Sequence, residues 1–146
     1  MWRAPGLAIL VMLANCAPGA AQGTCTKADF EAVVDDASAA LRELNAKHKP
    51  VFQDRLRKLK DKRGWTQDVF MREAAIFVQD DKIAEYDQES ADFLERINSL
   101  GTEGASATKP DCTLLTEVRA NMDGLVAAQK SKWDYMFDKL GKEIGP

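Results

Sequence analysis

The sequence predicts an all-α protein: an elongated, antiparallel up-down-up bundle of three helices, stapled by one disulfide. Three observations carry this expectation. Apolar residues recur at alternating spacings of three and four from residue 30 onward, and no alternating strand of useful length interrupts them. Gly and Pro gather at a few places that divide the chain into segments 26–63, 66–100 and 112–140. Those segments have similar lengths, spanning about 45–55 Å as helices, and the first turn is only two residues long, which favours antiparallel neighbours.

The chain of 146 residues suits one domain, and its 45% apolar and 29% charged residues are ordinary for a globular protein. The expected division is 1–23 as a secretory signal and 24–146 as a single helical domain. Arg3 supplies a positive start and Gly6 to Leu13 (GLAILVML) an apolar run too short to span a bilayer. Small residues then permit cleavage after Ala21 or Gly23. The expected location is therefore periplasmic or secreted. A second reading exists, because Leu13-Ala14-Asn15-Cys16 resembles a lipoprotein box that would lipidate Cys16.

The first helix starts at Thr26, an N-cap with Asp29 three residues on. Phe30, Val34, Ala37, Leu41, Leu44, His48 and Val51 form one stripe, continued by Phe52, Leu56 and Leu59. Pro50 lies inside this run and predicts a kink, since it lacks a donor and clashes with the preceding turn. The alternative is a break at Pro50 that folds 51–63 back as a fourth helix. Gly64 ends the segment after a run of basic residues.

The second helix is expected from Thr66 to Gly101, with Ile76, Ile83, Tyr86, Phe93, Ile97 and Leu100 as its seam, widened near the start by Phe70, Ala74 and Phe77, and 101–111 (GTEGASATKPD) as a loop. The third begins near Asp111 to Thr113 and ends at Gly141. Its apolar face is Leu115, Val118, Met122, Leu125, Trp133, Met136, Phe137 and Leu140. Gly124 weakens that helix, and such a residue permits close helix approach.

In an up-down-up bundle the first and third helices start at the same end. Cys25 and Cys112 sit at those two starts, and an exported chain favours their pairing.

The net charge of −3 is an average. Residues 47–63 hold eight bases against two acids, whereas 66–100 hold nine acids against three bases. One reading of this asymmetry is a binding tip, with Arg57, Lys58, Lys60, Lys62, Arg63 and Trp65 docking a protein or an anionic surface. The other is internal pairing of the basic stretch with the acidic helix beside it.

His48 is the single histidine, which excludes zinc fingers and most His/Cys metal sites. A metal or haem role would require His48 with Met136 or Met71 and is the weaker reading. Asp81, Glu85 and Glu89 recur at helical spacing but lack the histidine partners of di-iron bundles. No phosphate loop, nucleophile elbow or H-E-x-x-H motif is present. The expected function is thus an exported, non-enzymatic bundle that binds another macromolecule and needs no cofactor. Sequence-specific nucleic-acid binding and a transmembrane segment are not expected, and homodimerisation is compatible with a thin bundle. The alternative is a small-ligand, metal or haem carrier built on His48.

Overall fold

A computed structural model describes residues 24–146. The expected signal peptide, its cleavage points and Cys16 lie outside the described residues. Four α-helices follow in order: α1 (Lys27–Arg63), α2 (Gln67–Glu73), α3 (Asp81–Ser106) and α4 (Cys112–Ile144), with a 3₁₀ turn (Ala74–Phe77) after α2. Among the described residues the fold is all helical, and no helix is long and apolar enough to cross a membrane.

The helix starts follow the capping signals. Thr26 accepts from the Asp29 amide, and the Asp29 carboxylate accepts from the Thr26 amide at 2.6 Å, a reciprocal capping box. These bonds hold the Asp29 carboxyl below its ordinary pKa, the backbone amide contributing most. Thr66 caps α2, and Asp111 accepts from the amides of Thr113 and Leu114 to start α4. Gly64 closes α1 at φ 62°, a left-handed conformation that glycine takes without steric cost.

Pro50 stays inside α1. Its missing N–H leaves the Ala46 carbonyl without a helical donor, but both residues are exposed, so water can satisfy that oxygen. The interruption falls instead in the segment expected to be one helix over 66–100. There the chain forms α2 and the 3₁₀ turn, and Asp80 becomes extended at φ −159°. The Asp80 carboxylate accepts from the Ile83 amide at 2.8 Å and so starts α3 afresh. Across the bundle, Tyr135 donates to the same carboxylate at 2.8 Å, and Lys139 bonds both it and the Ile76 carbonyl. One correction follows from this break. Ile76, expected in the seam, is 52% exposed, whereas Phe77, expected beside it on the apolar face, is buried.

α3 also continues past Gly101 to Ser106. The expected loop shrinks because packing overrides composition: Leu100 lies against the core, and Gly104 faces Leu114 and Phe30. α4 similarly passes Gly141 and reaches Ile144.

The Cys25–Cys112 disulfide is formed, with Cα atoms 5.5 Å apart, and joins the starts of α1 and α4. At the other end Lys62 bonds the Ile144 carbonyl, and Arg63 pairs with Glu143 at 2.8 Å. α1 and α4 therefore point the same way. α3 runs opposite, its start held by Tyr135 and Lys139 and its end resting on Leu114.

Two cores lie along α4. The one near the disulfide holds Val33, Ala37, Ile97, Leu115, Val118, Met122 and Leu125. The far one holds Phe52, Leu59, Phe77, Ile83, Met136 and Leu140. Between them Ser90 is buried, donates to the Tyr86 carbonyl and accepts from Gln129 at 2.7 Å, a polar link between α3 and α4.

Candidate binding groove and the basic end of the bundle

α1 and α3 each pack along α4, but their backbones barely approach one another. This leaves an open groove near the disulfide end, with α1 and α3 as walls and α4 as floor. One section, of about 740 Å³, is lined by Phe30, Val34, Ile97, Gly101 and Val118, with Lys27, Glu31 and Asp35 from α1 also on its boundary. A second section, of about 660 Å³, shares Val34, Ile97 and Gly101 and adds Ala37, Leu41, Leu94, Met122 and Leu125. Phe30 meeting Gly104 narrows the end beside the disulfide.

Local sequence explains the opening. Val34 belongs to the apolar stripe of α1, yet it is 41% exposed because no helix covers that side. Leu94 on the facing wall is 48% exposed. Gly101 carries no side chain into the space, and a Cβ placed there meets nothing within 4 Å. Small residues and large apolar ones thus line most of an unfilled trough, with Ser38, Asn98, Thr102 and Ser106 among its remaining lining. Val51, the other stripe residue expected in the core, is also exposed, farther along α1.

The basic end is arranged differently. Arg57 and Lys58 both pair with Asp54, at 3.7 and 3.0 Å, and lower its carboxyl pKa, the Lys58 bond most strongly. Lys60 donates to Gln67 at 2.9 Å and lies over the Phe70 ring. Lys62 and Arg63 engage the end of α4, where exposed carbonyls attract positive charge. Trp65 is half-buried and packs against the far core. The six residues of the expected tip therefore lie together at one end, each with a partner in the same chain. Their internal partners come from α1, α2 and α4. The acidic helix α3 uses other bases: Lys132 pairs with Asp87, and Lys139 with Asp80.

His48 is half-buried on α1. Its ring stacks on Trp133 at 5.6 Å with 24° between planes and meets Phe137 at 5.5 Å. Trp133 donates to Asn45 at 3.0 Å, so this aromatic group ties the middle of α1 to α4. Met136 is buried in the far core, and Met71 is 65% exposed on α2. Asp81, Glu85 and Glu89 are exposed along α3, with Lys82 bonded to Glu85 at 2.6 Å. Among the described residues no three His, Cys, Asp or Glu side chains converge as metal ligands would.

Sequence reasoning missed the groove. Its walls were legible as apolar stripes, and Gly101 was legible as a small residue. The missing signal was which stripes face one another. Comparison with known proteins finds no family model, no curated protein and no solved structure that matches this chain.

Proposed function

We propose that this chain is an exported, non-enzymatic helical module that binds another macromolecule through the groove between α1 and α3. The observation that carries the reading is an open apolar trough, walled by Val34 and Leu94 and floored by Met122 and Leu125, in a bundle that is otherwise packed. Exposed apolar surface of this kind marks interaction sites. Export is supported by the leader-like composition of 1–23 and by the disulfide, which persists in oxidising compartments. We read the architecture as an up-down-up bundle of three long helices, with α2 and the 3₁₀ turn as a short cap over the far core.

The groove displaces the basic end as the favoured surface, because Lys60, Lys62 and Arg63 are engaged within the chain and Trp65 packs into the core. A photo-crosslinking residue placed at Leu94 and, separately, at Lys58 tests this in the native compartment. The reading expects a discrete adduct from Leu94 that disappears when Gly101→Leu fills the trough. An adduct from Lys58 alone would transfer the function to the basic end.

A further inference from the structure

We infer that the occupant of the groove is a cationic amphipathic helix about three turns long, supplied by a partner protein. This rests on the groove being the binding surface, and it adds the chemistry of what binds there.

Length comes first. The lined stretch of α1 runs from Phe30 to Leu41, and that of α3 from Leu94 to Ser106. At 1.5 Å per residue each wall is about 17 Å long, three helical turns. A helix presenting anchors at i, i+3 or i+4 and i+7 matches a trough of this length. Among the described residues there is no strand, so no sheet edge offers the main-chain hydrogen bonds that an extended peptide would use. Gly101 thins the α3 wall, which lets a helix settle close to the floor.

Charge selects the sign. Residues 27–46 of α1 carry five acids against two bases, and α3 carries seven against two. The groove floor adds no compensation, since residues 112–130 of α4 hold two acids and two bases. On the α1 wall Lys27 is answered by Glu31 at 3.8 Å, and Asp35, also on the groove boundary, has no ion-pair partner among the described residues. The α3 stretch that lines the groove, 94–106, adds only Glu95 and Glu103 against Arg96, so it is the α1 wall, through Glu31 and Asp35, that sets negative charge beside the apolar floor. Lys or Arg flanking an apolar stripe complements that surface, whereas Asp or Glu in the same places is repelled.

The experiment uses the disulfide-bonded protein and three synthetic peptides of about 15 residues. One is an amphipathic Leu/Lys helix, one the Leu/Glu counterpart, and one a scrambled Leu/Lys sequence with the same charge and no apolar face. Calorimetric titration should show the amphipathic Leu/Lys peptide binding about tenfold or more tightly than either control. Raising salt from about 0.05 M to about 0.5 M should weaken it several-fold. Gly101→Leu should weaken it about tenfold while leaving the melting temperature no lower, because leucine favours a helix more than glycine does. Glu31→Lys with Asp35→Lys should reduce the preference for Leu/Lys and favour Leu/Glu.

Equal binding of Leu/Lys and Leu/Glu, both blocked by Gly101→Leu, would overturn the charge assignment while the groove stands. Equal binding of the scrambled peptide would overturn the helical occupant. Leu/Lys binding unaffected by Gly101→Leu would place the peptide elsewhere. Concentration-dependent self-association abolished by Gly101→Leu would make a second copy the occupant and overturn the proposal. No binding of any peptide also overturns it; the underlying groove reading then fails only if Leu94 is silent in crosslinking as well.

Discussion

Gly124 sits on α4 where the Phe93 ring of α3 crosses it. A Cβ added at this glycine would lie 2.5 Å from both Cε1 and Cζ of Phe93 and 3.2 Å from Cδ1. Carbon atoms rest at about 3.5–4.0 Å, so the ring must withdraw by about 1 Å. Phe93 is half-buried against the core near the disulfide, and the Arg96 guanidinium lies 5.9 Å from its ring centre. Overpacking of this kind costs about 1–3 kcal/mol. Against it stands the helix preference of alanine over glycine, worth about 1 kcal/mol. The expected net effect of Gly124→Ala is a loss of about 1 kcal/mol, or about 4 °C in melting temperature for a domain of this size. Urea unfolding of the wild type, Gly124→Ala, Phe93→Leu and the double variant measures the coupling. If the ring is the obstacle, the double variant should be more stable than the two single losses add up to, by about 1 kcal/mol. Stabilisation by Gly124→Ala alone, or strict additivity, would refute the close-approach argument.

Three further outcomes are expected. The Asp80 carboxyl is held down to about 2, chiefly by its bond from Lys139 and then by the Ile83 amide. Because the folded value lies below the unfolded one of about 3.9, the associated stability is complete above pH 4 and disappears as pH falls towards 2. Solvent screening keeps it to about 1 kcal/mol. Asp80→Asn should therefore be less stable at pH 6 and show a weaker loss between pH 4 and 2, measured by thermal melts; an unchanged acid profile would count against the Asp80 node. Replacing Cys25 and Cys112 together by Ser opens a link between residues 87 positions apart and should lower stability by about 4 kcal/mol in urea, by loop-closure entropy. Ser90→Ala leaves Gln129 without its partner between α3 and α4 and should cost about 1–2 kcal/mol, whereas a neutral result would mean that Gln129 finds water there.

Much of the fold was legible because its determinants are local. Thr26, Thr66 and Asp111 announce their helices through side-chain caps, and Gly64 announces the first turn. The disulfide was legible because length and periodicity alone put Cys25 and Cys112 at the same end. The break at 78–80 was not, since the apolar spacing passes through it. What stabilises it is distant in sequence: Tyr135 and Lys139 holding Asp80 from another helix. Gly101 illustrates the reverse error, in which a residue that usually punctuates a chain lies within a helix and faces open space. Helical periodicity identifies which side of a helix is apolar. It does not say whether a neighbour covers that side, so Val34 reads as core while standing at the mouth of a groove.

The basic stretch shows a related limit. Composition identified a charged end, but the partners of Lys62 and Arg63 are the carbonyl and carboxylate at the close of α4, about 80 residues away. Long-range pairing of this sort leaves no local trace in sequence. Internal pairing was one of the two readings of this stretch, but its partners lie on α1, α2 and α4 and not on the acidic helix α3.

The most direct test of the central claim is a residue-resolved amide chemical-shift map during titration with the amphipathic Leu/Lys peptide. Saturable shifts concentrated at Val34, Ala37, Leu41, Leu94, Ile97 and Gly101 are predicted. Shifts concentrated at Lys58 to Trp65, with the groove amides unmoved, would contradict it.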